Sequence, residues 1–381
     1  MMKSTRTLLA WTSATLILGL LGLQLVAKLD SPSRSFQFLS LYARVLHLAR
    51  EHYVDPVEPA KLEARAAAGL LAGLNGESGL LEAGWTPENR HPYGLLLRSG
   101  GTYPVVLAVA PDSPAEKAGF STGDVIRRIA GKTIYGQQLP AIRAQLVAAG
   151  QAGLPIELLR SKDEEKKELK LTGVPEFAWL GAAMAADSAA GPARLQLFNT
   201  RADDARAALA LIRTQRAQTP ARKIILDLRR NAGDDYAGAA QLAGALGGKP
   251  FTVAGNPGRP DGSPLPLAFP AAVLRIDAVL TDGSTTRAAE ALAASLKAAG
   301  IPVYGRVTPG QATVESLIAL TDGRRLWLST RVARLANAPL APLGLDPDFA
   351  APAEVEDLAA FTREKLAAAA SLPGTPPGSA S

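Results

Sequence analysis

The sequence predicts a mixed α/β protein in which a β-rich segment precedes a larger α/β domain. Apolar, strand-like runs alternate with helical stretches between residues 195 and 305, which is typical of a sheet covered by helices. Residues 93–174 instead contain several short strand-like runs and one main helix. A separate apolar stretch near the amino end is long enough for one membrane-spanning helix. A chain of 381 residues can hold two or three such domains.

Composition and charge exclude several classes of function. The net charge is +6, and the lysines and arginines form no dense stripe interleaved with aromatic residues, so no nucleic-acid partner is expected. The lack of cysteine excludes disulfides, thiol catalysis and Cys-ligated metals. His47, His52 and His91 do not have metal-ligand spacing, so neither a metal nor another cofactor is expected.

The amino-terminal segment, residues 1–30, predicts a membrane anchor. Leu8 to Ala27 is a mostly apolar stretch of twenty residues, which as a helix would span roughly 30 Å, one hydrocarbon core. Lys3 and Arg6 precede it and favour an exported body. We therefore expect a single-pass protein of the inner (cytoplasmic) membrane with its body on the periplasmic or extracytoplasmic side. A cleavable signal peptide is the alternative, although Leu25-Val26-Ala27 is a poor cleavage site.

Residues 31–85 predict a helical segment. Apolar residues recur at i, i+3 and i+4 between Phe36 and His52, and the Asp55-Pro56 step ends this helix. The Ala/Leu-rich stretch from Pro59 to Leu74 predicts a second helix. A plain helical hairpin that covers the core accounts for every residue of this segment.

Residues 86–175 carry a series of motifs that resembles the PDZ domains of bacterial proteases. Tyr93 to Leu97 and Val105 to Val109 are strand-like, and they are followed by the Ser-Pro-Ala-Glu-Lys-Ala-Gly-Phe run of Ser113 to Phe120 and the Gly-Asp strand of Gly123 to Gly131. The resemblance implies a loop whose backbone N–H groups bind the carboxylate of a peptide, which adds as a strand beside a helix. Protein C-termini or unfolded polypeptide are therefore the expected partners.

The residues that this resemblance assigns to the peptide groove are small or apolar, so each of them could equally fill the core of the domain. They are the loop residues Tyr93, Gly94, Leu95 and Leu96, and Ile142 and Leu146 on the helix predicted over Pro140 to Ala149.

Residues 176–350 predict an α/β domain. Leu195 to Phe198 and Lys223 to Arg229 are strands separated by the helix Ala202 to Arg216, and the turn from Asn231 to Asp234 follows. The second strand and its turn resemble the Ile-Leu-Asp-Leu-Arg-x-Asn-Pro-Gly-Gly signature of the carboxy-terminal processing peptidases (tail-specific proteases), a serine peptidase family with a PDZ domain. The resemblance implies a ClpP/crotonase-like core. It also implies that the Gly233 N–H contributes to an oxyanion hole.

The stretch from Asp282 to Glu315 resembles the catalytic core of that family. There, a Ser-Ala-Ser-Ala-Ser-Glu run at the start of a helix holds the nucleophile, a Lys in a later Phe-Gly-Lys-Gly turn is the base, and a Gln four residues on supports the Lys. Matched at Glu290, the nucleophile position falls on Arg287, or on Thr286 after a slip of one residue. The Lys and Gln positions fall on Gln311 and Glu315.

These departures predict an inactive peptidase site. An amide such as that of Gln311 cannot accept a proton near neutral pH, and the guanidinium of Arg287 is not a nucleophile. Ser284 and Thr286 remain as fallback nucleophiles, and Lys297 would be a base only if it reached Ser284. We also expect Arg287 and Glu315 to form a salt bridge that fills the vacated site.

The remaining stretches complete the expected layout. Residues 249–270 are rich in Gly and Pro and predict a loop, either a lid or an insertion. Short strands are expected over 316–319, 326–328 and 330–333, and residues 351–381 predict a helix from Glu354 to Ala370 and a disordered tail.

Three interpretations follow from the sequence. In the first, a membrane-tethered member without catalysis binds polypeptide ends and acts as adaptor or regulator of an envelope protease or secretion partner. In the second, an active serine peptidase uses Ser284, Thr285 or Thr286 with an unforeseen base. In the third, an envelope protein with a purely structural role binds no peptide.

Overall fold

The computed structural model describes residues 34–55, 58–74, 77–81, 91–148, 153–160, 165–173, 181–186, 191–231, 233–256, 262–336, 338–340 and 343–371. The chain divides into two compact units, residues 1–67 and 68–381. The membrane helix expected over residues 8–27 lies outside the described residues. Within the described ranges, no helix is both long and apolar enough to cross a membrane.

The regular elements of the described residues follow one another along the whole chain. The helices are α1 (Arg34–His52), α2 (Pro59–Ala72), α3 (Pro114–Lys117), α4 (Leu139–Ala148), α5 (Ala202–Gln218), α6 (Tyr236–Ala245), α7 (Ala288–Ala298) and α8 (Leu358–Ser371). The strands are β1 (Gly79–Leu81), β2 (Leu95–Ser99), β3 (Pro104–Val109), β4 (Val125–Ile129), β5 (Lys132–Thr133), β6 (Leu154–Arg160), β7 (Glu165–Leu171), β8 (Ala182–Ala186), β9 (Ala193–Leu197), β10 (Ile224–Asp227), β11 (Thr252–Ala254), β12 (Ala278–Thr281), β13 (Val303–Gly305), β14 (Thr313–Ala319), β15 (Arg325–Leu335), β16 (Ala338–Pro339) and β17 (Phe349–Ala350).

The first compact unit contains α1 and most of α2. Both helices were predicted within two residues of their ends. On α1, Leu41, Val45 and Leu48 remain exposed at the i, i+4 and i+7 positions of one stripe.

The β-rich segment forms a sheet with strand order β2-β3-β4-β6-β7, to which β5 adds beside β4. Its core contains the buried side chains Ile126, Ile156 and Leu158 of the sheet and Leu139 of α4. The strand predicted from Tyr93 begins only at Leu95, because residues 92–94 form a 3₁₀ turn that includes Tyr93 at a φ of 58°.

The α/β domain is built on a sheet with strand order β17-β13-β12-β10-β9-β8, parallel throughout except for the antiparallel edge pair β8–β9. One face is covered by α5, α6 and α7, and the other by α8. Since β10 and β12 are parallel neighbours, their carboxyl ends lie side by side and bring the turns that follow Asp227 and Thr281 together. Open α/β sheets place their sites at such an edge.

A third sheet, in which β15 pairs with β1, β11, β14 and β16, differs from the structure predicted for these segments. The stretch predicted as a loop over 249–270 contains β11, which pairs with β15. The three short strands predicted after residue 316 are in fact β14 and the long β15. The final helix begins at Leu358 rather than Glu354. The unpredicted strand β1 also pairs with β15, which brings residues that precede the PDZ-like segment next to the α/β domain.

Gly238 lies where α6 approaches the start of α5 closely, and a substitution there tests this contact. In most helix interiors a Gly-to-Ala change is favourable by roughly 1 kcal/mol, but a Cβ at Gly238 would lie 2.0 Å from the carbonyl oxygen of Thr200. Gly238→Ala should therefore lower the free energy of unfolding by about 1–3 kcal/mol in urea titrations. Gly69→Ala on α2, where a Cβ meets no atom within 4 Å, is the control and should not be destabilising.

Candidate active-site region

The turn between β12 and α7 is joined by backbone hydrogen bonds to the turn that follows β10. The Thr286 N–H donates to the carbonyl oxygen of Asn231 at 3.2 Å, and the Ala288 N–H donates to that of Gly233 at 2.9 Å. Gly233 itself has a φ of 32°, and a Cβ there would lie 2.6 Å from the Ala289 nitrogen. Only glycine therefore allows the two turns to approach this closely.

Arg287 occupies a strained backbone position at the start of α7. Its φ of 58° and ψ of −119° lie outside the regions that residues with a side chain ordinarily adopt. Such strain costs of order 1–3 kcal/mol and clusters at active sites, including the strand-to-helix turns that expose a nucleophile. Arg287 thus has a strained backbone of the kind that occurs at such turns, although its side chain is not a nucleophile.

The ion pair expected between Arg287 and Glu315 is present. The guanidinium Nη2 of Arg287 contacts the carboxylate Oε2 of Glu315, and both residues are buried. Thr313 and Ser329 donate their hydroxyls to the other carboxylate oxygen of Glu315, at 2.8 and 3.3 Å. Burial alone would lower the pKa of Arg287, but the charge and hydrogen bond of Glu315, together with the influence of Tyr236 and Glu77, outweigh it and hold the pKa above its ordinary value. Arg287 is therefore a permanent cation.

Glu290 joins this turn to the later turn that carries Gln311. Its buried carboxylate accepts hydrogen bonds from the Thr308 hydroxyl at 2.5 Å, from the N–H groups of Gly310 and Gln311 at 2.7 Å, and from the Arg287 N–H at 3.2 Å. Burial raises the pKa of Glu290 to about 7, although these donors oppose the shift. One carboxylate thus fixes the distance between the two turns.

No lysine reaches the site among the described residues. The side chain of Gln311 directs its Nε2 toward Glu77 Oε1, a weak contact of 3.5 Å. Lys297, the alternative base, donates to the carbonyl oxygen of Asp346 at 2.7 Å and pairs with Asp348 at 3.2 Å. It therefore does not serve Ser284.

The hydroxyl groups of the alternative nucleophiles, Ser284, Thr285 and Thr286, all donate hydrogen bonds to neighbouring protein groups. Ser284 donates to the Asp282 carboxylate at 2.5 Å and accepts the Arg230 N–H at 2.8 Å. Thr285 and Thr286 donate to the carbonyl oxygens of Leu228 and Asn231 at 3.0 and 3.3 Å. All three residues are buried. Burial raises the pKa of Asp282, and the hydrogen bonds from Ser284 oppose that shift.

The Gly233 N–H, the candidate oxyanion donor, already makes a hydrogen bond within its own turn. The Gly233 N–H donates to the side-chain oxygen of Asn231 at 2.9 Å. Asp235, two residues after Gly233, caps α6, where it accepts the N–H groups of Ala237 and Gly238 at 2.8 and 3.1 Å. In this conformation no N–H of Gly233 is available to an oxyanion.

A small cleft adjoins the ion pair. Its accessible volume of about 10 Å³ holds roughly one water molecule, which leaves no room for a polypeptide in this conformation. The residues that line it are Glu77, His91, Leu96, Leu97, Arg143, Thr286, Arg287 and Gln311.

Sequence reasoning missed Glu77 and Arg143, which form a buried ion pair. Arg143 Nη1 donates to Glu77 Oε2 at 2.8 Å, and both side chains are 6% exposed. The one available signal was the charge of Arg143 within the otherwise apolar helix α4. A buried charge needs a partner, but the sequence does not identify which.

The residues that the PDZ resemblance assigned to a peptide groove are all buried: Tyr93, Gly94, Leu95, Leu96, Ile142 and Leu146. Most of these side chains belong to the PDZ core, whereas Leu96 packs beside Ala108 and Ala110. The Gly94 N–H donates to the His91 carbonyl oxygen at 3.0 Å, and the Leu95 N–H to that of Pro92. The N–H groups of Gly94 and Leu95, which were expected to bind a peptide carboxylate, are thus hydrogen-bonded within the 3₁₀ turn.

The raised pKa of Glu290 predicts a pH-dependent stability. Because the folded pKa of about 7 exceeds the unfolded value of roughly 4.3, the folded state binds more protons in that interval. The free energy of unfolding should therefore fall as pH rises from about 5 to about 7. Glu290→Gln, measured by urea unfolding across this range, should remove most of that slope, whereas exposed Glu364→Gln should retain it.

Comparisons with known proteins agree with this architecture. Residues 105–160 match the PDZ domain, and residues 190–350 match peptidase family S41. A carboxy-terminal-processing protease of Bartonella bacilliformis is 25% identical over 343 residues, which cover 84% of this chain and 76% of that protein. A chloroplastic C-terminal processing peptidase of Tetradesmus obliquus is 27% identical over 66% of this chain, but the match spans only 57% of the relative.

A solved structure supports the same fold. The photosystem II D1 C-terminal processing protease superposes with a TM-score of 0.61 at 21% identity, over 83% of this chain and 93% of that chain. The mixed α/β fold with a PDZ domain is the one that the sequence predicted. The chain therefore carries a PDZ domain at residues 105–160, followed by a peptidase family S41 domain at residues 190–350.

Proposed function

We propose that this chain is a pseudopeptidase that binds protein C-termini or unfolded segments without cleaving them. The observation that carries the proposal is the buried ion pair between Arg287 and Glu315 at the positions expected for the nucleophile and the residue that supports the base. A Ser–Lys mechanism needs a hydroxyl and a neutral amine at hydrogen-bond distance. Here a permanent cation and a carboxylate fill that space.

The strained backbone of Arg287 supports its assignment as the former nucleophile position. A slip of one residue would have placed Thr286 there, but the φ of 58° belongs to Arg287. The strain is tolerated because the surrounding hydrogen bonds hold both ends of the turn. The scaffold of a peptidase thus supports a residue that cannot perform the chemistry.

The engaged oxyanion donor supports the same proposal. In acyl transfer, preorganised N–H groups that stabilise the developing oxyanion contribute about 3–4 kcal/mol each. The Gly233 N–H donates instead to Asn231. Cleavage would require this turn to rearrange in addition to a new nucleophile and base.

We further propose that residues 8–27 anchor the protein in the inner membrane with its body on the periplasmic or extracytoplasmic side. The support is the apolar stretch and the basic residues that precede it. In that location a polypeptide binder would act as adaptor or regulator of an envelope protease or secretion partner.

An active serine peptidase is the second candidate, and one contact favours it. The Ser284 hydroxyl donates to the buried carboxylate of Asp282 at 2.5 Å, and burial raises the pKa of that carboxyl group. A carboxylate with a raised pKa is a better base than an ordinary one. The match to family S41 is equally consistent with this candidate.

Cleavage of a denatured protein separates the two candidates. The full chain, purified in detergent, should give no fragments of reduced, unfolded casein after overnight incubation, while peptide binding remains measurable. The triple variant Arg287→Ser/Gln311→Lys/Glu315→Gln restores the family residues and should give slow but detectable cleavage, because the engaged Gly233 N–H still limits the rate.

Ser284→Ala is the matched control for the second candidate. Digestion by the natural chain that disappears in Ser284→Ala would contradict the pseudopeptidase. Digestion that persists in this variant, in Thr285→Ala and in Thr286→Ala would come from a contaminant.

A further inference from the structure

Two buried guanidinium groups line the cleft beside the ion pair. Arg143 of α4 and Arg287 of α7 are each 5% exposed. Among the described residues, neither Nε atom has a hydrogen-bond acceptor. A buried donor without an acceptor costs about 1–3 kcal/mol, and more when it is charged. The two arginines that line the cleft therefore carry buried donors that the described residues do not satisfy.

The carboxylate of Glu77 supplies the negative charge of this cleft. It accepts from Arg143 Nη1 at 2.8 Å and lies 3.5 Å from the Nε2 of Gln311. Its charge also contributes to the raised pKa of Arg287. The carboxylate of Glu77 thus lies near the guanidinium groups of Arg143 and Arg287 and the amide of Gln311. A carboxylate ligand in this cleft would have the same neighbours.

The position of Arg143 links this cleft to the edge where a peptide could add. Arg143 Nη2 donates to the carbonyl oxygen of Leu97 on β2 at 3.1 Å. Strand β2 forms the edge of the PDZ sheet, which is where an added peptide strand would bond. The N–H groups of Gly94 and Leu95 are already used within the 3₁₀ turn. Arg143 is therefore a charged donor in direct contact with this edge strand.

We propose that the cleft between Arg143 and Arg287 is a receptor for the C-terminal carboxylate of a polypeptide, and that Glu77 is its built-in occupant. The identity of the ligand as a polypeptide end rests on the proposed function, whereas the carboxylate chemistry rests on the two guanidinium groups alone. A carboxylate that replaces Glu77 leaves the charge of the cleft unchanged. The displaced Glu77 side chain recovers its hydration, so the exchange avoids the cost of burying a new unpaired charge.

Removal of Glu77 should make the cleft bind a free carboxylate. In the full chain in detergent, Glu77→Ala should lower the Tm, and sodium acetate should raise it again by a few degrees, whereas sodium chloride at equal ionic strength should not. The exposed pair of Glu157 and Arg128, 3.6 Å apart, provides the control. Glu157→Ala should show no difference between the two salts. An equal response of Glu77→Ala to both salts would overturn the proposal.

Peptide binding tests the ligand class with a milder change. Two fluorescein-labelled Gly/Ser peptides that end in Leu, one with a free carboxylate and one amidated, are titrated against the natural chain and Glu77→Gln. The free peptide should bind Glu77→Gln at least about tenfold more tightly than it binds the natural chain, since the competing charge is gone, whereas the affinity of the amide should not change. Arg143→Gln should abolish the preference for the free carboxylate.

The outcomes separate this inference from the proposed function. Equal affinity of the free and amidated peptides for Glu77→Gln would overturn the receptor and leave polypeptide binding intact. Cleavage of either peptide would overturn the pseudopeptidase, while a Tm response specific to acetate would still support the carboxylate site. If Glu77→Ala does not fold in chloride, recovery of its near-UV circular dichroism in acetate supports the receptor, and failure to recover contradicts it.

Discussion

The geometry of the site depends on one buried carboxylate, that of Glu290. It lies in the first turn of α7 and collects hydrogen bonds from Arg287, Thr308, Gly310 and Gln311. These donors belong to two turns that are separated along the chain but lie at the same edge of the sheet. Without this carboxylate, two buried backbone N–H groups, those of Arg287 and Gly310, and the partly buried N–H of Gln311 would lose their acceptor. The turns that carry Arg287 and Gln311 are thus held together by the carboxylate of Glu290.

The identity of residue 287 then constrains residue 315. An arginine at this buried position leaves its charge uncompensated unless a carboxylate comes within contact, and Glu315 supplies it. Loss of one partner from such a pair costs roughly 3–5 kcal/mol, whereas replacement of both by apolar residues can be neutral. A single substitution at either position therefore leaves a buried charge without its partner and destabilises the fold. The two substitutions behave as one unit with the strained backbone at residue 287.

The sequence predicted the parts of this site that depend on local pattern. The apolar run before Asp282 and the Ala-rich stretch after Arg287 specify a strand, a turn and a helix, and the spacing to Glu315 made the ion pair a reasonable expectation. It could not predict the pair of Glu77 and Arg143, because these residues are 66 positions apart. Strand β1, which follows Glu77, pairs with β15 more than 240 residues later, and its Leu80 N–H donates to the side chain of Gln138 just before α4, at 3.1 Å. These contacts between distant parts of the chain leave no local pattern in the sequence. Nor did the composition of residues 249–270 reveal β11, since its strand is only three residues long and is stabilised by β15 rather than by its own sequence.

Burial also determines which ligand end the cleft can accept. A cation would meet two guanidinium groups at close range in a region of low dielectric constant, where repulsion is strongest. A neutral amide could replace the hydrogen bonds that Glu77 makes, but it could not replace the negative charge of Glu77. Among the described residues that line or adjoin the cleft, Glu315 would then be the one carboxylate opposite the two positive charges of Arg143 and Arg287. In water such an imbalance would cost little, but in a site where both arginines are 5% exposed it is expensive. Discrimination between a carboxylate and an amide therefore follows from the exclusion of water around Arg143 and Arg287, without any contact to the rest of the ligand.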